Sequence, residues 1–209
     1  MTDRQTNHSV SAGIHQGMRI SICSLIWTVT AGSGAIAIGI LGNNLTLVVF
    51  GVIGLLDGVG SGTLIAHFRH ALRHDSVSSR HERLTLLVVS WGMAVVGVAT
   101  IADSIYRLRA EVHSNPLPAG IGLAAVSVLV LAALAVGKRR IAPRIPSHAL
   151  GADGWLSATG ALLAVVTLAG TALDKAFNWW WSDPVAAILV AVAAIGLSIT
   201  LIRRPVDAD

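Results

Sequence analysis

The sequence has one cysteine, Cys23, in 209 residues. A single thiol builds no disulfide framework, so cysteine usage leaves the redox compartment open. Charge is scarce too. Asp, Glu, Lys and Arg make up 12% of the chain, against 54% hydrophobic residues, whereas an ordinary soluble domain carries about 25% charged residues. With so little polar material the chain cannot cover a soluble globule. Catalytic signatures are also missing. There is no nucleophile elbow, P-loop, His-Glu-x-x-His or Cys-x-x-Cys, and the chain is not expected to be an enzyme.

What the sequence does have is long apolar runs, with a mean hydropathy of +0.70. A membrane-spanning helix needs about 20 mostly apolar residues. Six runs reach that length, at about 19–41, 45–68, 84–106, 119–137, 149–173 and 184–202. The expected fold class is therefore an all-α membrane protein of six transmembrane helices. Only "GNN" (42–44) separates the first two runs, which predicts a tight helical hairpin. Glycines inside the runs suit close helix packing in lipid. Residues 1–17, "MTDRQTNHSVSAGIHQG", are polar. The apolar run after them has span length and ends in no small-residue cleavage site, so they are read as a short, mobile cytoplasmic tail and not as a signal peptide. The organisation expected is that tail, a transmembrane domain over 18–204 and a short cytoplasmic tail over 205–209.

Lys and Arg set the orientation. The N-terminus, the 69–83 and 138–148 loops and the C-terminus together hold 12 of the 15 basic residues, and Arg107, Arg109 and Lys175 are on the other side. Positive residues mark the cytoplasmic face, which places both termini inside, most simply at the plasma membrane. The net charge of +4 is then an orientation signal. Short basic loops without stacking aromatics argue against a nucleic-acid partner. The lipid bilayer is the expected environment.

Trp179, Trp180 and Trp181 fall in the outer loop before the sixth run. Indole rings favour the headgroup region. Pro184 is tolerated in a first helical turn, and Asp183 sits where a helix N-terminus favours negative charge. The stretch reads as an interfacial anchor and a helix start.

Asp57 lies near mid-span in "IGLLDGVGSG". A carboxylate at the bilayer centre costs about 2.5 kcal/mol or more and ordinarily faces a cavity or a partner. Two readings stand: an ion or proton contact, or a hydrogen-bonded carboxyl packing helices together against Thr28, Thr30 or Ser33. Asp103, near the outer end of the third span, is expected to pair with Arg107 four residues on. The stretch "HFRHALRHDSVSSRHER" carries His67, His70, His74 and His81. Continued as a helix, it puts the first three on one face, and neutral imidazole suits Zn²⁺. Interleaved arginines would repel a cation, so a solvated, basic helix end at the membrane surface is the competing reading. His148 starts the fifth span within reach of this stretch, whereas His8, His15 and His113 have no evident role.

Four stretches together resemble the cation diffusion facilitator, or cation efflux, family. "WWWSDPVAAILVAV" (179–192) is similar to the start of the family's sixth helix. "RHERLTLLVVSWGMAVVGVATIADSIYRL" (80–108), "SHALGADGWLSATGALLAV" (147–165) and "NNLTLVVFGVIGLLDGVGSGTLIAHFR" (43–69) resemble its third, fifth and second helices. The resemblance implies a six-helix membrane domain, a homodimer, and exchange of Zn²⁺ or a similar divalent ion for protons, with no permanently bound cofactor. It also implies a tetrahedral site built from two i, i+4 pairs of Asp or His, one on helix two and one on helix five. Aligned on Asn44, Leu45, Ser61 and Arg69, the helix-two pair falls on Ile53 and Asp57. Aligned on Ala152 and Asp153, the helix-five pair falls on Leu156 and Gly160. An alternative register puts the helix-two pair on Asp57 and Ser61.

Three of the four positions carry no donor, so the metal site is degenerate. The candidates for the transport pathway are Asp57 and Asp153, the latter either a helix-start or gating group or an ion contact. His67, His70, His74 and His81 match a loop thought to gather metal in the family. No counterpart of the family's soluble metal-binding domain is expected after Arg204, so dimerisation is expected to use the helices or short loops. The function expected is divalent-cation efflux through an altered site. The alternative is a transport-inactive relative that assembles with or regulates another membrane protein.

Overall fold

The computed structural model describes the backbone of residues 2–71, 79–144 and 148–203. Among these residues there are six α-helices and no strand: α1 (Thr2–Leu41), α2 (Leu45–Ala71), α3 (Ser79–Arg109), α4 (Pro118–Ile141), α5 (His148–Phe177) and α6 (Ser182–Arg203). A 3-10 turn, Ala142–Arg144, follows α4. Gln16–Leu41, Pro118–Ile141, Gly154–Phe177 and Ser182–Thr200 are long and apolar enough to cross a membrane, and α2 adds the shorter apolar stretch Leu45–Val59.

The helices run past the apolar runs at most of their ends. α1 shows this most, because the residues expected to form a mobile tail are helical from Thr2 onward. No proline interrupts them. Once the apolar span has formed its first turn, each further residue adds a hydrogen bond without a new nucleation cost.

Burial is distributed as lipid demands. Ile26, Val95, Val98, Leu129 and Leu162 face outward and are exposed, whereas Ser21, Ser24, Ser104, Ser127, Thr167 and Thr171 are buried. A bilayer gives apolar side chains no reason to turn inward, so small residues fill the helix interfaces and let the backbones approach. The α1–α2 contact is the clearest case. A Cβ on Gly51 would lie 2.6 Å from the Gly32 carbonyl oxygen and 3.0 Å from the Ile36 nitrogen, so glycine is required there. The most extensive packing pairs α1 with α2, α4 with α5 and α3 with α6. The Ser198 hydroxyl donates to the Ser90 carbonyl at 2.7 Å and joins α6 to α3. Phe50, Ile53, Met93, Leu131, Leu163 and Val190 belong to the central apolar cluster.

The α1–α2, α3–α4 and α5–α6 connections meet at one end, as alternating spans require. Asn115 N donates to Gly42 O at 2.8 Å, Asn43 Nδ2 to His113 O at 3.2 Å, and the Ser114 hydroxyl to the Asp174 carboxylate. Asn43 takes the left-handed φ of 48° that the three-residue hairpin needs, a conformation Asn tolerates better than most residues. Asn44 Oδ1 accepts from Leu47 N at 2.8 Å and caps α2. The expected Asp103–Arg107 pair is present at 2.9 Å, and the same guanidinium donates to Asn43 O at 3.0 Å.

The tryptophan loop lies at this end as well. Trp179 and Trp181 stack at 5.3 Å and remain partly exposed. The role of Asp183 differs from the one expected. It is buried in the first turn of α6, but its carboxylate turns away to accept the Leu45 and Thr46 amides of α2 at 2.9 and 3.0 Å. Thr46 Oγ1 returns a bond to the Asp183 carbonyl at 2.6 Å. The free N–H groups of a helix start need acceptors, and here α6 supplies them to α2.

Candidate intramembrane site

A cavity of about 40 Å³ lies between the helices near mid-span. α1 contributes Trp27 and Thr28, α2 contributes Ile53 and Asp57, α4 contributes Ser127, and α5 contributes Leu156, Thr159 and Gly160. The four positions assigned to the family's ligand pairs, Ile53, Asp57, Leu156 and Gly160, therefore line one space. Helical geometry accounts for this. Residues four apart share a face, and here each pair faces inward from its own helix. Ser61, from the alternative register, is buried but is not part of the lining.

The donors around the cavity are oxygens. Asp57, half-buried, supplies the one carboxylate among the described lining residues. Thr28 Oγ1 gives its proton to the Ser24 carbonyl at 2.8 Å, and Thr159 Oγ1 gives its proton to the Trp155 carbonyl at 3.1 Å. Each hydroxyl keeps lone pairs for a ligand. Ser127 is fully buried, and its hydroxyl has no hydrogen-bond partner among the described residues, which leaves it free to bond a ligand. Of the helix-one hydroxyls weighed as partners for Asp57, Thr28 shares the cavity. Thr30 is exposed and bonds to Ile26 O at 2.7 Å, and Ser33 is exposed.

The other candidates are less informative. Asp153 lies in the first turns of α5, and His67 and His70 in the last turns of α2. His81 is in the first turn of α3. Their side chains, and His74 entirely, lie outside the described residues, as does the side chain of His148. Among the described residues no group of three or more His, Cys, Asp or Glu side chains is arranged to hold a metal ion.

One residue near the site escaped the sequence reading. Lys138 was counted with the basic 138–148 loop, but it lies within α4 and is fully buried. Its Nζ donates to Ser24 Oγ of α1 at 2.8 Å and to Ser157 Oγ of α5 at 2.9 Å. The signal was there in the periodicity. Gly120, Ala124, Ser127, Leu131, Ala135 and Lys138 recur at three- and four-residue steps and form the buried face of α4. Its neighbour Arg139 is exposed and also reaches α5, with its guanidinium 4.4 Å from the Trp155 ring centroid.

Comparison with known proteins adds the lineage. The sequence profile of the family described as Cation efflux transmembrane domain matches residues 21–207. No curated protein matches the chain.

Proposed function

Because the chain belongs to the cation efflux family, whose members transport cations, we propose that it exports a divalent cation through the central cavity, which residues of all six helices line, with Asp57 as the anionic contact. The observation that carries this reading is the convergence of Ile53, Asp57, Leu156 and Gly160 on one space that also holds the unpartnered Ser127 hydroxyl.

The donor chemistry favours an altered substrate preference. Zn²⁺ is best held by four donors that include imidazole or thiolate. Carboxylate and hydroxyl oxygens suit harder ions that keep part of their water. The cavity, about 40 Å³, exceeds the ~10–15 Å³ that one water needs, which leaves room for an ion that keeps part of its hydration. Protonation of Asp57 on release would couple export to protons. The basic residues support cytoplasmic termini and a plasma-membrane location. Burial of Lys138 leaves eleven basic residues against three, and the sign is unaltered. Assembly as a homodimer belongs to the same reading. A second reading, a transport-inactive assembly or regulatory partner, is favoured by the absence of donors at Ile53, Leu156 and Gly160.

Proteoliposome flux with Zn²⁺, Mn²⁺, Fe²⁺ and Co²⁺ separates the two. Wild type is expected to move at least one ion in a pH-dependent manner, and Asp57→Asn to abolish that movement while the protein stays folded. Normal flux through Asp57→Asn would remove Asp57 from the pathway. No flux of any ion through wild type would favour the inactive relative.

A further inference from the structure

Among the described lining residues of the cavity three carry hydroxyls, Thr28 on α1, Ser127 on α4 and Thr159 on α5. Thr28 and Thr159 turn their protons back onto carbonyls one turn earlier in their own helices, the usual partner for a hydroxyl inside a helix. Ser127 makes no such bond. It is fully buried on the inner face of α4, one turn before Leu131, which also lines the cavity. Packing against α1 sets its depth. A Cβ on Gly34 would lie 3.5 Å from the Leu123 side chain, and one on Gly137 would lie 2.5 Å from that of Ile20, so α4 runs antiparallel along α1. One turn beyond Leu123, Ser127 is level with Thr30 and Ala31. On α2, a Cβ on Gly58 would lie 3.4 Å from Thr28 Oγ1, which places the adjoining Asp57 beside the same stretch of α1. Ser127 and Asp57 therefore line one cavity at depths within about one helical turn, ~5 Å, from two helices that both pack against α1.

We propose that Ser127 is a binding residue of this cavity, and that its hydroxyl oxygen holds the same cation as Asp57. The proposal rests on reading the cavity as a cation passage. The four positions paired by the family resemblance belong to α2 and α5, and the α5 pair, Leu156 and Gly160, offers no side-chain donor. Ser127 brings an oxygen from α4, a helix outside that pairing. Its proton and lone pairs are uncommitted among the described residues, so a lone pair can turn to the ion. Hydroxyl and carboxylate oxygens together suit a hard dication such as Mn²⁺. A serine that only filled space between α4 and its neighbours would be replaced by alanine without loss, because an unpaired buried hydroxyl costs stability.

Exchanging the hydroxyl for a thiol tests this without relying on transport. In the full chain with Cys23→Ser, Ser127→Cys supplies the sole thiol, and the cadmium–thiolate charge-transfer absorption is followed as Cd²⁺ is added to the purified protein. The band is expected to appear, and to need about tenfold more Cd²⁺ once Asp57→Asn is added, since one ion touches both residues. No band, or a band whose Cd²⁺ dependence Asp57→Asn leaves unchanged, would overturn the proposal, because a thiol that binds cadmium by itself ignores Asp57. If Ser127→Cys fails to fold, Ser127→Ala decides. It should weaken Mn²⁺ binding about tenfold by calorimetry and leave the metal-free protein as stable as wild type or more so. An unaltered Mn²⁺ affinity, no Mn²⁺ binding even in wild type, or a matching loss of metal-free stability would overturn the proposal. Mn²⁺ flux through the Cys23→Ser protein in proteoliposomes keeps the two readings apart. An Asp57-dependent band without flux retains the binding residue and removes the passage, whereas flux without the band removes Ser127 alone.

Discussion

Asp183→Ala should be the most destabilising single change at the tryptophan-loop end. The carboxylate accepts two backbone amides of α2, at 2.9 and 3.0 Å, from a buried position. Hydrogen bonds to a charged group contribute about 1.5–3 kcal/mol each. These lengths sit at or beyond the long end of the charge-assisted range, so about 1.5–2 kcal/mol each is appropriate. Water entering the vacated space offsets part of the loss, as in cap replacements that cost about 0.5–2 kcal/mol. The helix is not wholly uncapped, because Asn44 still holds Leu47 N at 2.8 Å. The net expectation is a loss of about 2–3 kcal/mol. Asp183→Asn keeps one acceptor but sets an amide donor against the second N–H, and should fall between wild type and Asp183→Ala. Equilibrium denaturation in detergent, followed by circular dichroism, measures this. An Asp183→Ala protein within about 0.5 kcal/mol of wild type, the range of an inert surface change, would refute the capping argument.

Calorimetry on the purified chain is expected to find no high-affinity Zn²⁺ site within the membrane, since Ile53, Leu156 and Gly160 offer no donor and apolar side chains cannot compensate a dehydrated dication. Any residual Zn²⁺ binding should vanish when His67, His70, His74 and His81 are changed to Ala. Tight binding that survives in that variant and is lost with Asp57→Ala would contradict this. Reporter fusions at residue 76 and at the C-terminus should read cytoplasmic and one near residue 114 external, and an external C-terminus would remove the six-span topology.

Much of the candidate site could be read before any coordinates. Asp57 stood out because a carboxylate in mid-span is costly, and the family resemblance, not the spacing itself, paired it with Ile53, and Leu156 with Gly160. That these two pairs face each other, with Trp27 and Thr28 of α1 and Ser127 of α4 closing the space, depends on how the helices rotate about their axes. Nothing local to each helix specifies that rotation. Lys138 shows the opposite error. Its charge assigned it to a loop, although the spacing of the α4 inner face pointed inward. A rule about charge at helix ends was given precedence over a periodicity that was also legible.

Local chemistry was enough for what hydropathy and chain reach control. Apolar runs of span length dictated helices because lipid leaves the backbone no other hydrogen-bond partners. The "GNN" link dictated the hairpin, and the Asp103–Arg107 spacing dictated its ion pair. Tertiary structure decided the matters in which one helix completes another. Asp183 looked like the cap of its own helix, yet its carboxylate serves Leu45 and Thr46, 138 and 137 residues away in sequence. Lys138 finds its oxygens on Ser24 and Ser157, 114 and 19 residues away. A buried polar group takes the nearest available partner in space, and only the packing of six helices determines which residue that is.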